Sequence, residues 1–208
     1  MAMSTAEAAS VIAANRPPDA VVISTMSSLR QFPRLSPSPL NLSCVPLMGG
    51  ASALGLGIAI AQPDRSVLLL DGDGSLLMQL GSLVTVAGVR PSNLYHFVFD
   101  NGVWFEGGAN FALPAADRIS WTGLASAAGY AAAHSYPDAA ALAADLDTVL
   151  AAPGPCLIRL DIDKDAADRT QWSGDNLQEE TPDSQFTRMG DEARNVMRAL
   201  QQSKVGQA

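Results

Sequence analysis

The chain has 208 residues, 48% of them hydrophobic and 16% charged, with a formal net charge of −8 at pH 7. That length suits one domain with at most an appendage, and that composition excludes disorder throughout. The acidic balance excludes nucleic acid or an anionic membrane surface as the main partner, so an anionic ligand would need local help from a helix N-terminus, a glycine-rich loop or a metal.

Cys44 and Cys156 are far apart, and neither has a second cysteine at metal-ligand spacing. A reduced, cytoplasmic setting is the expectation. No positively charged start leads into an apolar run, so no signal peptide is expected. Gly, Ser, Asp or Gln interrupts each apolar stretch well before the length of a membrane span.

Ala6 to Asn15 predicts a short helix that Pro17-Pro18 stops. Val21-Val22-Ile23-Ser24 predicts a buried strand. Residues 32–46 carry four prolines and several serines and are expected to form a loop. Residues 51–61 are apolar nearly all round and predict a buried helix. Ser66 to Leu70 predicts a strand ending at Asp71, followed by a tight turn over Gly72-Asp73-Gly74-Ser75 and a helix from Leu76 to Val89. Leu94 to Phe99 predicts the next strand, ending at Asp100-Asn101-Gly102. Helix, strand, helix and strand follow at Trp121–Tyr130, Ala131–Ser135, Asp138–Ala151 and Pro155–Asp161. Strands alternating with helices define an α/β fold, three layers deep, with a mainly parallel sheet covered on both faces.

Residues 162–185 turn polar and read as an exposed excursion. Phe186, Met189, Ala193, Val196, Met197 and Leu200 then share one face of a terminal helix. That face packs either on its own domain or on a partner chain. The division is therefore an extension over 1–19, a binding domain over 20–162, and a polar tail over 163–208 ending in an amphipathic helix.

Ligands of open α/β sheets bind at the carboxyl ends of the strands. Two strands here end in polar clusters, Asp71-Gly72-Asp73-Gly74-Ser75 and Asp100-Asn101-Gly102. A helix start after Gly74 favours a phosphate, and Gly72 and Gly74 permit a close backbone approach. Asp73 offers a carboxylate and Asn101 an amide oxygen, both hard ligands. One carboxylate, one amide and a few backbone oxygens suit Mg²⁺ or Ca²⁺ that also takes oxygens from a phosphorylated ligand. Asn101 follows Asp73 by 28 positions, one helix and one strand later.

Gly72-Asp73-Gly74, closed by Asn101 at that interval, resembles the signature of thiamin-diphosphate-dependent enzymes. The likeness extends upstream through Met48-Gly49-Gly50 to Gly57 and Pro63-Asp64-Arg65, and downstream through Ser75 to Leu83. It covers about residues 20–160 and is similar in particular to the diphosphate-binding parts of sulfopyruvate and phosphonopyruvate decarboxylases. The resemblance implies Mg²⁺ held by the side chains of Asp73 and Asn101 and the backbone oxygen of Val103. It implies diphosphate contacts at Gly72, Gly74 and Ser75, with Ser24 and Thr25 approaching from the first strand. Met48 would wedge beneath the cofactor, and the Pro46 carbonyl would accept from its aminopyrimidine. Two departures stand out: Asp100-Asn101 where relatives often have Asn-Asn, and Thr25-Met26 where they have Thr-Gly.

The family's activating glutamate comes from a second domain of similar size. A chain this short is expected to be one subunit of a split enzyme, in a hetero-oligomer or dimer with a pyrimidine-binding partner that supplies that glutamate. The implied activity is decarboxylation of a short anionic 2-oxo acid, with the cofactor supplying the hard chemistry. Glu106, in Trp104-Phe105-Glu106-Gly107-Gly108, is the local candidate for a catalytic carboxylate; its alternatives are a solvated charge or a partner contact. An acetolactate-synthase-like carboligase subunit and a non-catalytic cofactor-binding module remain alternatives. A Rossmann-type nucleotide binder is disfavoured, because no Gly-x-Gly-x-x-Gly follows the first strand. His96 and His134 are read as structural, and Gly55 and Gly57 as helix-packing glycines.

Overall fold

The computed structural model describes residues 2–26, 28–44, 47–106, 109–163 and 182–205, with the backbone alone at 30, 105, 106, 109, 110, 182–186 and 202–205. In chain order the elements are α1 (Thr5–Ala14), β1 (Val21–Ser24), α2 (Ser28–Leu35), β2 (Asn41–Ser43), α3 (Ala51–Ala61), β3 (Val67–Gly72), α4 (Asp73–Met78), α5 (Ser82–Val89) and β4 (Leu94–Asp100). They continue with β5 (Val103–Glu106), β6 (Ala109–Ala112), α6 (Trp121–Ala128), β7 (Ala132–Tyr136), α7 (Ala139–Ala151), β8 (Cys156–Asp161) and α8 (Pro182–Val205).

Six strands form one parallel sheet in the order β2-β1-β3-β4-β8-β7. Side chains alternate across it, as a strand's period of two requires. Val22, Leu68, Leu70, Phe97 and Ile158 face the layer of α1, α2 and α7. Ile23, Leu69, Val98 and Leu157 face α3, α5 and α6. Both faces are dry, which explains why β3 and β4 read as continuous apolar runs. From β1 the chain steps outward to β2, then returns to place β3 on the other side of β1. That reversal opens a crevice at the carboxyl ends of β1 and β3, where α/β sheets take ligands.

The expected α/β fold with its mainly parallel sheet is the one observed. Several local expectations are corrected. Residues 32–46 are not one loop. They carry the end of α2, with Phe32 fully buried and Pro33 inside the helix, and then β2. β2 is a three-residue edge strand whose order comes from its pairing with β1 rather than from its own composition. The helix expected over 76–89 is two. Gln79 ends α4, the Ser82 N–H donates to the Gln79 carbonyl at 2.8 Å, and α5 starts after Gly81. The turn expected over 72–75 is the start of α4, with Gly72 as its extended N-cap. β5 (Val103–Glu106) pairs antiparallel with β6 (Ala109–Ala112), a small second sheet for which the sequence predicts no strand.

Gly55 of α3 lies against β3: a Cβ there would come within 2.0 Å of Leu69 Cδ2. It is a packing glycine, whereas Gly57 faces open space. Residues 1–19 carry α1, which opens on a reciprocal cap between Ser4 and Glu7 and buries Ala8, Ala9 and Ile12 in the first core cluster. The stretch read as an exposed excursion lies, over residues 164–181, outside the described residues. Helix α8 packs on its own domain. Val196 is buried with the second core cluster and Ala193 and Leu200 pack beside it, but Met197 is 61% exposed and so leaves the predicted face.

The Glu192 carboxylate accepts the Ser43 N–H of edge strand β2 at 2.6 Å, which ties α8 to the sheet. Glu192→Ala is expected to cost about 1.5–3 kcal/mol, the usual loss for a bond to a charged acceptor. Thermal denaturation would measure it, and limited proteolysis should then cut near α8 first.

Candidate functional site

The sheet is parallel, so every strand delivers its carboxyl end to one edge. Ser24 ends β1 and is buried. Thr25 follows it and is buried too. Its N–H donates to the Leu70 carbonyl at 3.0 Å and its hydroxyl to the Cys44 carbonyl at 3.1 Å, so both of its donors are used internally. Met26 comes next with a φ of 53°, the left-handed region that a glycine would enter without strain. The departure from Thr-Gly therefore falls where the backbone favours glycine. Met26 keeps its side chain beside Gly72.

β3 ends at Gly72, and α4 starts at once with Asp73, Gly74 and Ser75, all buried. One oxygen of Asp73 accepts the Gly74 N–H at 2.7 Å and the other accepts the Gly102 N–H at 2.6 Å. The second bond crosses from the first residue of α4 to the loop after β4, so it joins the two motif halves. Asn101 is half-buried on that loop, and its amide oxygen accepts the Val103 N–H at 3.0 Å. Hairpin β5–β6 begins at Val103 and folds over α4. A Cβ on Gly74 would meet Leu113 at 3.3 Å and Trp104 at 3.6 Å. Glu106 ends β5, and its side chain lies outside what is described.

The loop after β2 approaches from the other side. Met48 is half-buried there. The Gly49 N–H donates to the Ser75 hydroxyl at 3.0 Å, fastening this loop to the first turn of α4. Pro46 lies outside the described residues. The structure thus gathers Ser24, Met48, Gly72, Asp73, Gly74, Ser75, Asn101 and Val103 along one edge of the sheet.

Burial pushes the Asp73 carboxyl up to about 7, and the neighbouring Asp100 carboxylate adds to the shift against the two N–H bonds. Asp100 has its own cation: Arg159 Nε lies 2.7 Å from it, and the same guanidinium reaches Asp161 at 3.3 Å. Among the described residues no Lys, Arg or His pairs with Asp73. A buried carboxylate without a cation is costly, and a hard divalent ion would relieve it. Among the described residues no three His, Cys, Asp or Glu side chains gather as a metal site. The oxygen donors to hand are one carboxylate, one amide and backbone carbonyls. That set fits Mg²⁺ completed by phosphate oxygens.

Sequence reasoning missed Arg159 as the partner of Asp100, and missed the hairpin. Aromatic and β-branched residues flanking Gly107-Gly108 were the available hairpin signal. His96 is fully buried, as a core histidine should be, and His134 stacks on Tyr136 at 6.3 Å on the outer strand β7. Both cysteines are free and buried. Among the described residues no helix is long and apolar enough to cross a membrane.

A doubly wound parallel sheet with, at its reversal point, a glycine-flanked helix start and a buried carboxylate that has no basic partner among the described residues has the layout of an α/β domain for a phosphorylated ligand. Residues 21–160 match the family model of the thiamine pyrophosphate enzyme, C-terminal TPP binding domain, and the chain belongs to that family. It is 41% identical over 150 residues to phosphonopyruvate decarboxylase of Streptomyces viridochromogenes, covering 72% of this chain and 37% of that one. It is 39% identical over 101 residues to sulfopyruvate decarboxylase subunit beta of Methanothermobacter thermautotrophicus, covering 49% and 53%. The chain therefore spans between about a third and a half of these relatives' length. In fold it is similar to the thiamine diphosphate-dependent 4-hydroxybenzoylformate decarboxylase of Rhodococcus jostii, with a TM-score of 0.65 at 20% identity over 78% of this chain and 33% of that one.

Proposed function

We propose that this chain is the diphosphate-binding subunit of a split, cytoplasmic, thiamin-diphosphate- and Mg²⁺-dependent 2-oxo acid decarboxylase. Its substrate is a short anionic 2-oxo acid of the sulfopyruvate or phosphonopyruvate kind. The observation that carries the reading is Asp73: buried, bonded to both motif halves, and lacking a basic partner among the described residues. The relatives' names support the substrate class. The word subunit in the sulfopyruvate relatives supports a partner chain.

In this reading Asp73, Asn101 and the Val103 carbonyl hold Mg²⁺. Each of the Asp73 and Asn101 side-chain oxygens accepts a single N–H and keeps a second lone pair that would be open to the metal. Gly72, Gly74 and Ser75 take the diphosphate, with Ser24 at its side. Thr25 has both donors committed to the Leu70 and Cys44 carbonyls, so it offers the diphosphate no hydrogen bond as it stands. Met48 supports the cofactor from the loop that Gly49 fastens, and the family resemblance assigns the Pro46 carbonyl as the acceptor for its aminopyrimidine. Bound thiamin diphosphate supplies the electron sink that lets a 2-oxo acid release CO₂. Glu106, at the end of β5, touches the substrate or a proton in transit. The pyrimidine-binding partner brings the activating glutamate.

Titration calorimetry of thiamin diphosphate into the chain is expected to show heat only with Mg²⁺ present. The chain purified with its partner should release CO₂ from phosphonopyruvate or sulfopyruvate, and the chain alone should not. Turnover by the isolated chain would overturn the split arrangement. A product that forms only with an added acceptor aldehyde would make the enzyme a carboligase. Binding without turnover in any assembly would leave a cofactor-binding module. Unchanged turnover in Glu106→Gln would remove its acid–base role.

A further inference from the structure

Three polar side chains lie in the core face that carries α3, α5 and α6, and the reading above gives none of them a task. His96 is 0% exposed, Asp71 1% and Tyr130 7%. His96 is flanked in the sheet by Leu69 on one side and Leu157 on the other, positions where an aliphatic side chain would pack without any polar cost.

The three are bonded in series. Tyr130 Oη lies 3.4 Å from His96 Nδ1, and His96 Nε2 lies 3.3 Å from Asp71 Oδ2. A carboxylate only accepts, so facing Asp71 the Nε2 carries an N–H, and in the neutral ring Nδ1 then accepts the phenol O–H. Burial first, and Asp71 next, push the Tyr130 phenol above its ordinary pKa, which keeps it a donor. The other oxygen of Asp71 accepts the Gly72 N–H at 2.9 Å. At the far end the Tyr130 N–H donates to the Ala125 carbonyl in the last turn of α6. The series thus runs from α6, across β4, to the peptide that opens the Gly72-Asp73-Gly74 turn. Gly72 is the N-cap of α4 and has no side chain with which to fix itself. Asp71 fixes it from behind, and His96 is the group that holds Asp71 in place.

We propose that Asp71, His96 and Tyr130 form a positioning relay that sets the Gly72 peptide and, through it, the aim of the Asp73 carboxylate. The functional half of this inference rests on the reading of Asp73 as a metal ligand; the structural half does not. His96 bonds to Tyr130 and Asp71 and to neither Gly72 nor Asp73, so a change at His96 tests action at one remove. None of the three residues is a catalytic residue in this scheme.

The experiment uses hydrogen–deuterium exchange on the ligand-free chain, then titration with Mg²⁺ and thiamin diphosphate. His96→Leu cuts the relay. Tyr130→Phe removes only its far hydroxyl and covers the case in which His96→Leu does not fold. Leu146→Ala, a cavity on the other face of the sheet, serves as the comparison for general loss of stability. Amide protection at residues 72–74 is expected to fall about tenfold in His96→Leu and less in Tyr130→Phe, with a matching rise of about tenfold in the Kd for the cofactor, the scale seen when outer partners of a metal ligand are lost. His96→Gln, whose amide can still donate to Asp71, should recover most of both. Leu146→Ala should lower Tm and leave both unchanged. The relay is overturned if protection at 72–74 changes no more in the His96 and Tyr130 variants than in Leu146→Ala. It is equally overturned if the wild type binds cofactor and His96→Leu binds it as tightly. If the wild type takes up no cofactor while protection still falls, the proposed function fails and the relay stands.

Discussion

Asp73→Asn is expected to abolish Mg²⁺-dependent binding of thiamin diphosphate while making the ligand-free chain more stable above neutral pH. The loss of binding should exceed about 100-fold, since the carboxylate is the one charged donor in the set and even outer partners of a metal ligand are worth about 10–100-fold. The gain in stability follows from the same carboxylate. Its pKa is about 7 in the fold against 3.8 for an unperturbed aspartate, with burial as the first cause. The folded chain therefore holds a proton that the unfolded chain has given up between those values. This group's contribution to stability is complete below about pH 4 and is lost as pH rises through 7, by up to about 4 kcal/mol. Asparagine carries no charge to desolvate, but it loses one of the two N–H bonds. A net gain of about 2 kcal/mol is expected at pH 8, or roughly 4–8 °C in Tm, shrinking toward zero at pH 5. In the wild type Mg²⁺ must displace that proton, so its apparent affinity should fall about tenfold per pH unit below 7 and level off above. Thermal scans at pH 5 and 8, with calorimetry across the same range, check both halves. A variant that lost stability at pH 8 would show that the carboxylate is not strained by its burial.

Much of the proposed site is legible in the sequence because a metal and a phosphate would demand particular atoms. A carboxylate between two glycines, and an asparagine one helix and one strand later, can be read without knowing the fold. The dry strands β3 and β4 are legible for a similar reason: a sheet covered on both faces admits little except Leu, Val and Phe. What escaped is what pairing imposes. β2 is three residues among prolines, and becomes a strand because β1 offers it an open edge. The break between α4 and α5 is invisible in the apolar pattern, which stays in phase across Gln79-Leu80-Gly81. The break lets the short α4 finish the binding edge while α5 covers the sheet. The tie from Arg159 to Asp100 joins β8 to β4, and no local pattern marks a contact across 59 positions. His96 reads from the sequence as structural, and the fold buries it with a partner at each ring nitrogen. Its partners, Asp71 and Tyr130, became visible only when β3, β4 and the end of α6 were brought together.

Gly49→Ala is expected to cost stability and cofactor affinity together, which would show that the Met48 loop and α4 behave as one unit. Gly49 has a φ of +83°, and a Cβ there would lie 2.9 Å from Gln79 Cβ. The left-handed backbone costs an L residue about 1 kcal/mol or more, and the contact adds about 1–3 kcal/mol, for a loss of about 2–4 kcal/mol in all. Relief can come only by moving the loop away from α4. That movement breaks the bond from the Gly49 N–H to the Ser75 hydroxyl and carries Met48 with it. Cofactor affinity should therefore fall by about tenfold, as for other supports of a bound metal. Gly57→Ala is the contrasting variant. Gly57 lies inside α3, with no atom within 4 Å of a Cβ placed there. Alanine should stabilise that helix by about 0.5–1 kcal/mol and leave binding alone. Denaturant unfolding and calorimetry on the two variants separate the effects. If Gly49→Ala lost stability but bound cofactor like the wild type, the loop would be a structural clasp and Met48 would have no part in holding the ligand.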